Sequence, residues 1–334
     1  MKKVLVVGAG GFTGGFICDE CLRRGYQVWA GVRESTSRRY LQAPELKFTV
    51  LDFDRPDSLA AALRESIGAG ERWDYIIYNL GATKCLNFAD FNRINYLYLQ
   101  SFTEALKEAG LVPDRLLYIS SLSAMGPGDE KGYSPYTEEM IPMANTRYGA
   151  SKLKAEMWLA MSGIPYIIFR ATGIYGPRDR DYFLMFKSIR KGFDFSVGYS
   201  KQLLSFLYVE DLARACCDAL EKGRTGQTYI VGEPAVYTQR EFRGMVAGAM
   251  GRRMVLPVRL PLWAVRLVSA VAEKIGVARG KASTLNSDKY RIMAQRNWNI
   301  DISKARREFG FNPEVDLAEG IRRSAEWYRK EGWL

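Results

Sequence analysis

Histidine is absent from all 334 residues. That absence excludes Ser-His-Asp and Cys-His nucleophilic catalysis, histidine-bearing zinc sites and imidazole general bases. Proton transfer in this protein therefore falls to Tyr, Lys, Asp, Glu or Cys. Cysteine is scarce, with five residues too scattered for a disulfide framework. Cys18 and Cys21 form a C-x-x-C inside the first predicted helix rather than at its N-terminus, so buried thiols facing the sheet are expected instead of a redox pair. No repeat recurs at a solenoid or propeller period, and no segment is low in complexity. The first residues run straight into an apolar strand, without the basic and apolar regions of a signal peptide, and a cytoplasmic protein is expected. No apolar run is long enough to span a bilayer. The nearest, residues 255–277, is interrupted by Arg259, Arg266, Glu273 and Lys274 and broken at its front by Pro257 and Pro261. It reads as a lid helix over an apolar pocket, with peripheral membrane contact as the alternative.

Acidic residues are outnumbered, leaving a net charge of +11. The excess is dispersed, in Arg23-Arg24, Arg38-Arg39, Arg252-Arg253, Arg306-Arg307 and Arg322-Arg323. Dispersion of this kind marks a solvated surface, so a small-molecule substrate and no nucleic acid is the expected set of partners.

What the chain does have is alternation. Short apolar runs at residues 3–7, 27–32, 48–51, 75–78, 116–119 and 166–169 read as strands buried on both faces. Helical stretches separate them: 14–24, 58–65, 95–109 and one starting near Tyr148. The expected fold is α/β, a Rossmann-type doubly wound parallel sheet with a smaller C-terminal substrate-binding lobe. Residues 1–175 are assigned to the dinucleotide-binding domain and 176–334 to the lobe, some of whose elements return to the main sheet.

Between the first strand and first helix, Gly8, Gly11 and Gly14 form G-x-x-G-x-x-G. Such a turn lets backbone approach a pyrophosphate, and the helix N-terminus supplies N–H donors. Selectivity for the adenosine is set at the end of the second strand, where NAD enzymes place a carboxylate. Here Val32 holds that place and Arg33 follows, with Ser35, Thr36, Arg38 and Arg39 close behind. A guanidinium suits a 2′-phosphate, so NADP(H) is favoured over NAD(H); the alternative is that Arg33 stacks on adenine with either cofactor.

Tyr148 and Lys152 lie four residues apart on one helix face. An ammonium there, together with the positive ring of a bound nicotinamide, is expected to stabilise the phenolate and lower the tyrosine pKa. Ser121, just past the fifth strand, could hold a substrate oxygen while Tyr148 transfers the proton, with Ser120 and Ser123 as neighbouring choices.

These motifs, taken with Asp52-Phe53, Asn79 to Lys84, Arg170 to Asp179, Tyr208 to Ala213, Asp301 to Ala305 and Phe311-Asn312-Pro313, resemble the extended short-chain dehydrogenase/reductase family. That group includes sugar-nucleotide epimerases and dehydratases, dihydroflavonol and cinnamoyl-CoA reductases, and 3β-hydroxysteroid dehydrogenases. The resemblance implies Ser121, Tyr148 and Lys152 as the catalytic set, with Lys152 also on the nicotinamide ribose. It implies a cofactor cradle of Gly8, Gly11, Phe12, Thr13, Gly14, Arg33, Asp52, Phe53, Leu80, Gly81, Ala82, Lys84, Ala171 and Gly173, together with Tyr148 and Lys152. The chain departs from the family pattern at Val7, Asn79 and Met125, where Thr, His and Tyr are common. Ala171 and Gly173 stand where Pro and Asn are frequent, which weighs against a nucleotide-sugar pyrophosphate as ligand.

Three functions are in view. One is an NAD(P)(H)-dependent oxidoreductase interconverting a secondary alcohol and a ketone or aldehyde. Another is a nucleotide-sugar epimerase with tightly held cofactor; dehydration is disfavoured because Leu122-Ser123 stand where an acidic pair follows the catalytic serine. The third is a non-catalytic dinucleotide-binding protein holding RNA or a protein on its basic surface. The family's habit of pairing the helices at 95–109 and 148–161 implies a homodimer, although Met157, Trp158 and Met161 at helical spacing also suit a core.

Overall fold

The computed structural model describes residues 1–280, 283 and 285–334. In chain order the first half contains β1 (Lys3–Val7), α1 (Phe12–Arg23), β2 (Gln27–Val32), β3 (Lys47–Val50), α2 (Leu59–Ile67), β4 (Tyr75–Tyr78), α3 (Phe88–Asn92), α4 (Tyr98–Ala109), β5 (Arg115–Ile119), α5 (Arg147–Met161), β6 (Tyr166–Ala171) and β7 (Gly173–Tyr175). There follow α6 (Asp181–Arg190), β8 (Phe193–Val197), β9 (Phe206–Tyr208), α7 (Val209–Lys222), β10 (Gln227–Val231), α8 (Gln239–Ala249), β11 (Leu256–Leu260), α9 (Leu262–Ala278), α10 (Ser287–Ala294), α11 (Ser303–Phe309) and α12 (Leu317–Lys330).

Seven strands form one sheet in the order β10-β6-β5-β4-β1-β2-β3, parallel throughout. Helices cover both faces, which is why β1 and β4 are continuous apolar runs with no polar alternation. On one face lie α1, α7 and α11; on the other lie α2, α4 and α5. The Rossmann-like α/β expectation is met. The chain runs outward from β1 through β2 and β3, then returns to β4 on the other side of β1. A crevice opens there at the carboxyl ends of the strands, where α/β proteins bind ligands. α7 and β10 come from the second half of the chain and complete this sheet and its cover. A third core, under β7, β9, α6, α8 and α12, fills the remaining lobe.

All five cysteines are free and buried. Cys21 Sγ lies 3.6 Å from Cys217 Sγ where α1 packs on α7, and burial pushes the Cys18 thiol up. They are packing thiols, as their place inside the helix implies.

Three expectations need correction. The helix expected over 95–109 is instead α3, a π-helical turn at Arg93–Leu97, and α4. The Asn87 side chain accepts the Asp90 N–H at 2.9 Å and starts the helical run earlier. Met157 and Met161 are not core: they are 58% and 76% exposed, and only Trp158 turns inward, its Nε1 donating to Thr103 Oγ1 at 3.0 Å. Nor is α9 a lid with its apolar side down. It buries only Val265, Ser269 and Gly276, leaving most of its apolar side chains outside.

Candidate active site

The turn after β1 is built by close approach. Gly8 takes a left-handed φ of +83°, and the N–H groups of Gly8 and Ala9 both donate to Gly31 O, at 3.0 and 3.2 Å. Gly11 caps α1 and donates its own N–H to Gly8 O at 3.1 Å. At Gly14 the helix presses directly on the turn: a Cβ there would meet Gly8 O and would lie 2.6 Å from Ala9 Cα. Replacing Gly14 with Ala is therefore expected to push α1 off the turn, at a cost of about 1–3 kcal/mol. Dinucleotide affinity should fall at least about tenfold. Thermal melting and NADPH fluorescence titration read the two effects.

The first turn of α1 has no side-chain cap and no acidic residue, so its N–H donors face outward for an anion. Thr13 Oγ1 donates to Asn79 Oδ1 at 2.9 Å, tying the helix start to the end of β4. The Phe12 ring packs edge-on against Phe16, centroids 6.3 Å apart, which leaves the Phe12 main chain as its contribution to the cradle.

At the adenosine end, the Arg33 N–H donates to Thr36 Oγ1 at 3.0 Å, folding the loop after β2 so that Thr36 lies against Gly10. The Arg33 side chain is exposed, and among the described residues no carboxylate pairs with it. Asp52 accepts from Arg55 Nε at 2.6 Å and from the Asp54 N–H at 3.1 Å. The Arg55 contact holds its carboxyl below the usual range. Phe53 is buried, stacked on Tyr98 at 5.1 Å and packed against Tyr78 and Phe102, so its ring belongs to the core. Helix α12 closes over this end through Arg39 Nη2 to Glu331 at 2.8 Å and Tyr40 against Trp327.

The catalytic candidates converge at the start of α5. The Thr146 side chain caps that helix, accepting the Gly149 N–H at 2.9 Å, and the Tyr148 N–H donates to Asp288 Oδ2 at 3.1 Å. Tyr148 stands near Ser121, whose hydroxyl favours the phenolate and opposes the effect of burial. Of the three serines Ser121 is the one whose hydroxyl bears on the Tyr148 phenol. Ser120 turns the other way and donates to Glu156, while the Ser123 N–H donates to Ser121 Oγ at 3.2 Å and fixes that hydroxyl.

The electrostatics differ from expectation. Burial pushes the Tyr148 phenol up, with only Ser121 pulling the other way. Lys152 does not lower it, because Lys152 Nζ donates to Ile119 O at 2.6 Å and lies 4.3 Å above the Tyr118 ring. Burial pulls Lys152 itself down to about 7, against the opposing charge of Glu156.

Asn95 is a residue the sequence reading missed. It is fully buried on the π-helical turn. Its Oδ1 accepts the Ala82 N–H at 2.7 Å, and its Nδ2 donates to Ala82 O at 3.1 Å and Ser151 Oγ at 2.9 Å. One amide thereby clamps the loop of Leu80, Gly81 and Ala82 onto α5. The available signal was an amide within the apolar run Ile94-Asn95-Tyr96-Leu97. Gly81 faces Lys152, since a Cβ there would sit 3.6 Å from Lys152 Nζ.

Two cofactor candidates sit apart from this group. Lys84 pairs with Asp181 on α6 rather than with the glycine turn. Gly173 makes room for Tyr182, whose hydroxyl occupies the space a side chain at 173 would need. Ala171 is buried at the end of β6.

Beneath the site runs a buried ion pair that the sequence reading also missed. Glu156 lies one turn beyond Lys152 on α5, and Arg170 donates to it from Nη2 at 2.8 Å and Nε at 3.1 Å. Both are less than a tenth exposed. Arg170 Nη1 also reaches Met125 Sδ at 2.9 Å. On the outer side Arg147, next to the tyrosine, binds Glu273 of α9 at 2.7 Å and Asp288 of α10 at 3.2 Å.

Comparison with known proteins follows the same lines. Residues 4–232 match the model of a family described as NAD dependent epimerase/dehydratase. An uncharacterised UDP-glucose epimerase of Bacillus subtilis is 24% identical over 343 residues, covering 96% of this chain and 95% of its own. A dTDP-glucose 4,6-dehydratase of Neisseria meningitidis serogroup B is 24% identical over 364 residues, covering 98% and 93%. Among solved structures, dTDP-glucose 4,6-dehydratase of Bacillus anthracis in complex with NAD shares the fold with a TM-score of 0.78, at 19% identity over 100% of this chain and 98% of that one.

Proposed function

The chain belongs to the NAD dependent epimerase/dehydratase family, and from that premise we propose that it is an NADP(H)-linked oxidoreductase interconverting a secondary alcohol and a ketone or aldehyde. The observation that carries this reading is the convergence at the start of α5 of Ser121, its hydroxyl fixed by the Ser123 N–H, with Lys152 facing Gly81 and a Tyr148 that burial keeps protonated. The residues fit a dinucleotide: α1 offers uncapped N–H donors over a turn too tight for any side chain at Gly14, and Arg33 offers an exposed cation that no carboxylate among the described residues pairs with. When bound, the dinucleotide supplies or accepts the hydride.

The protein's own part is positional and acid–base. Ser121 holds the substrate oxygen, and Tyr148 Oη gives its proton to that oxygen as the carbonyl carbon gains hydride, yielding the alcohol. In the reverse direction Tyr148 takes the proton back. Asn95 and Ser151 keep the loop and helix in register, and Lys152 stands beside Gly81 where a ribose would lie.

Preference for NADP(H) rests on Arg33 and on the absence of an acid at Val32. With Arg33 replaced by Ala, NADPH affinity is expected to fall about tenfold or more, the loss of a charge-assisted contact, while NADH changes little. Fluorescence titration of both nucleotides decides it. Tighter NADH binding by the unmodified protein overturns the preference.

The epimerase reading draws on the names of the relatives. Against it, the Tyr182 hydroxyl fills the space beside Gly173. Turnover measured on a carbonyl panel and on nucleotide sugars separates the two. The RNA-binding reading loses ground because two of the arginine pairs are neutralised locally, Arg23 and Arg24 by Glu20 and Asp218, and Arg322 and Arg323 by Glu319 and Glu326. Exposed Leu97, Met157 and Met161 on the outer face of the α4–α5 layer support a homodimer through that face.

A further inference from the structure

Helix α9 carries its apolar side chains on the side away from the protein. Val265, Ser269 and Gly276 form its buried stripe. On the opposite side Trp263, Leu267 and Val271 recur every four residues and are 71%, 60% and 49% exposed. A surface helix of a globular protein ordinarily shows the reverse arrangement.

The parallel pair β8 and β11 continues this face. Asp194 is buried and takes Gln239 at 2.9 Å and Arg243 at 3.4 Å, so the alternating Phe193 and Phe195 point outward and stack with centroids 6.2 Å apart. Leu256 stands in register with Phe193 and is likewise exposed. The Leu262 side chain of α9 packs against Gly198 at the end of β8, which makes strands and helix one continuous surface.

Its rim is cationic. Arg190 and Lys191 precede β8, Arg252 and Arg253 precede β11, and Arg252 Nε donates to Arg190 O at 2.6 Å, joining the two basic pairs. Arg259 and Arg266 extend the charge between β11 and α9. Among the described residues none of these six pairs with a carboxylate, in contrast to the neutralised arginine pairs elsewhere. Glu273, the one acid of α9, turns inward to Arg147.

We propose that this face docks on the surface of an anionic bilayer, with Trp263, Leu267 and Phe195 at the headgroup level and the arginines on lipid phosphates. A second copy is the poorer occupant, because a two-fold interface through this patch would set one cationic rim against another. Among the described residues no helix is long and apolar enough to cross a membrane, and the docking proposed is to the bilayer surface. The Glu273–Arg147 pair joins the docked helix to the first turn of the catalytic helix.

The test is cosedimentation of the full chain with vesicles of phosphatidylcholine alone and of phosphatidylcholine mixed equally with phosphatidylglycerol. Binding to the anionic vesicles is expected to exceed binding to the neutral ones by about tenfold or more. The double variant Leu267→Glu/Val271→Glu should lose about tenfold of that binding while melting at the same temperature, since both positions are outside the core. Arg252→Glu/Arg253→Glu should remove the preference for the anionic vesicles. The proposal is overturned if the protein stays in the supernatant with both vesicles, or if Leu267→Glu/Val271→Glu pellets like the unmodified chain. It is equally overturned if that variant merely splits an oligomer that never bound vesicles, which would give the face to a second copy.

Discussion

Replacing Tyr148 with Phe is expected to lower turnover by about 10²–10⁴-fold, the usual worth of a positioned acid or base, with NADPH affinity nearly unchanged. The phenol is the proton donor of the proposed mechanism, and Phe keeps the ring that packs near Phe91 at 6.1 Å while removing that proton. Steady-state rates on a reducible carbonyl together with NADPH titration separate lost chemistry from lost binding. The pH profile gives a second check. Burial raises the Tyr148 pKa above that of an ordinary phenol, so the group remains protonated through neutrality. Reduction consumes that proton, so its rate should hold across the neutral range and decline only on the alkaline side. Oxidation needs the phenolate and should climb with pH over the same interval. A Tyr148→Phe protein that turns over at the original rate would remove Tyr148 from the mechanism.

Arg170→Met is expected to cost about 3–5 kcal/mol of stability, because it leaves the Glu156 carboxylate buried without its cation. Glu156 is 4% exposed, and among the described residues its other side-chain hydrogen bond is from the Ser120 hydroxyl. The double variant Arg170→Met/Glu156→Gln should recover much of the loss, since the charge needing compensation is gone. Urea denaturation measures both. The single variant should also lower activity beyond the fraction unfolded, because Ser120 precedes Ser121 and takes its position from Glu156. Stability equal to the unmodified chain in Arg170→Met would show that the pair does not carry this weight.

The sheet was legible because each strand is a short apolar run closed by a turn, a pattern that two-sided burial imposes directly on composition. Tyr148, Lys152 and the glycines were legible because their chemistry depends on fixed local spacing. Asn95 was not, since its role arises from a π-helical turn that rotates one amide inward and no residue type announces such a turn. Glu156 and Arg170 looked like helix and strand charges in sequence; only packing α5 on β6 shows that they neutralise each other. That burial outweighs Lys152 at Tyr148 in the protein alone was not legible, because spacing reports which residues share a helix face. It does not report that the Ile119 carbonyl captures the Lys152 ammonium. For α9 the apolar periodicity was visible, but whether that stripe faces protein depends on neighbours far along the chain.

The packing of α1 on α7 has a consequence for the birth of the protein. Ile17, Cys18 and Cys21 are buried together with Leu212, Cys216 and Cys217, whose helix emerges some two hundred residues later. At roughly 5–20 residues per second the ribosome leaves that side of the first helix uncovered for about 10–40 s. During this interval the nascent chain carries an apolar face with no native partner. Holdase binding on the ribosome should therefore protect the emerging chain until α7 is made.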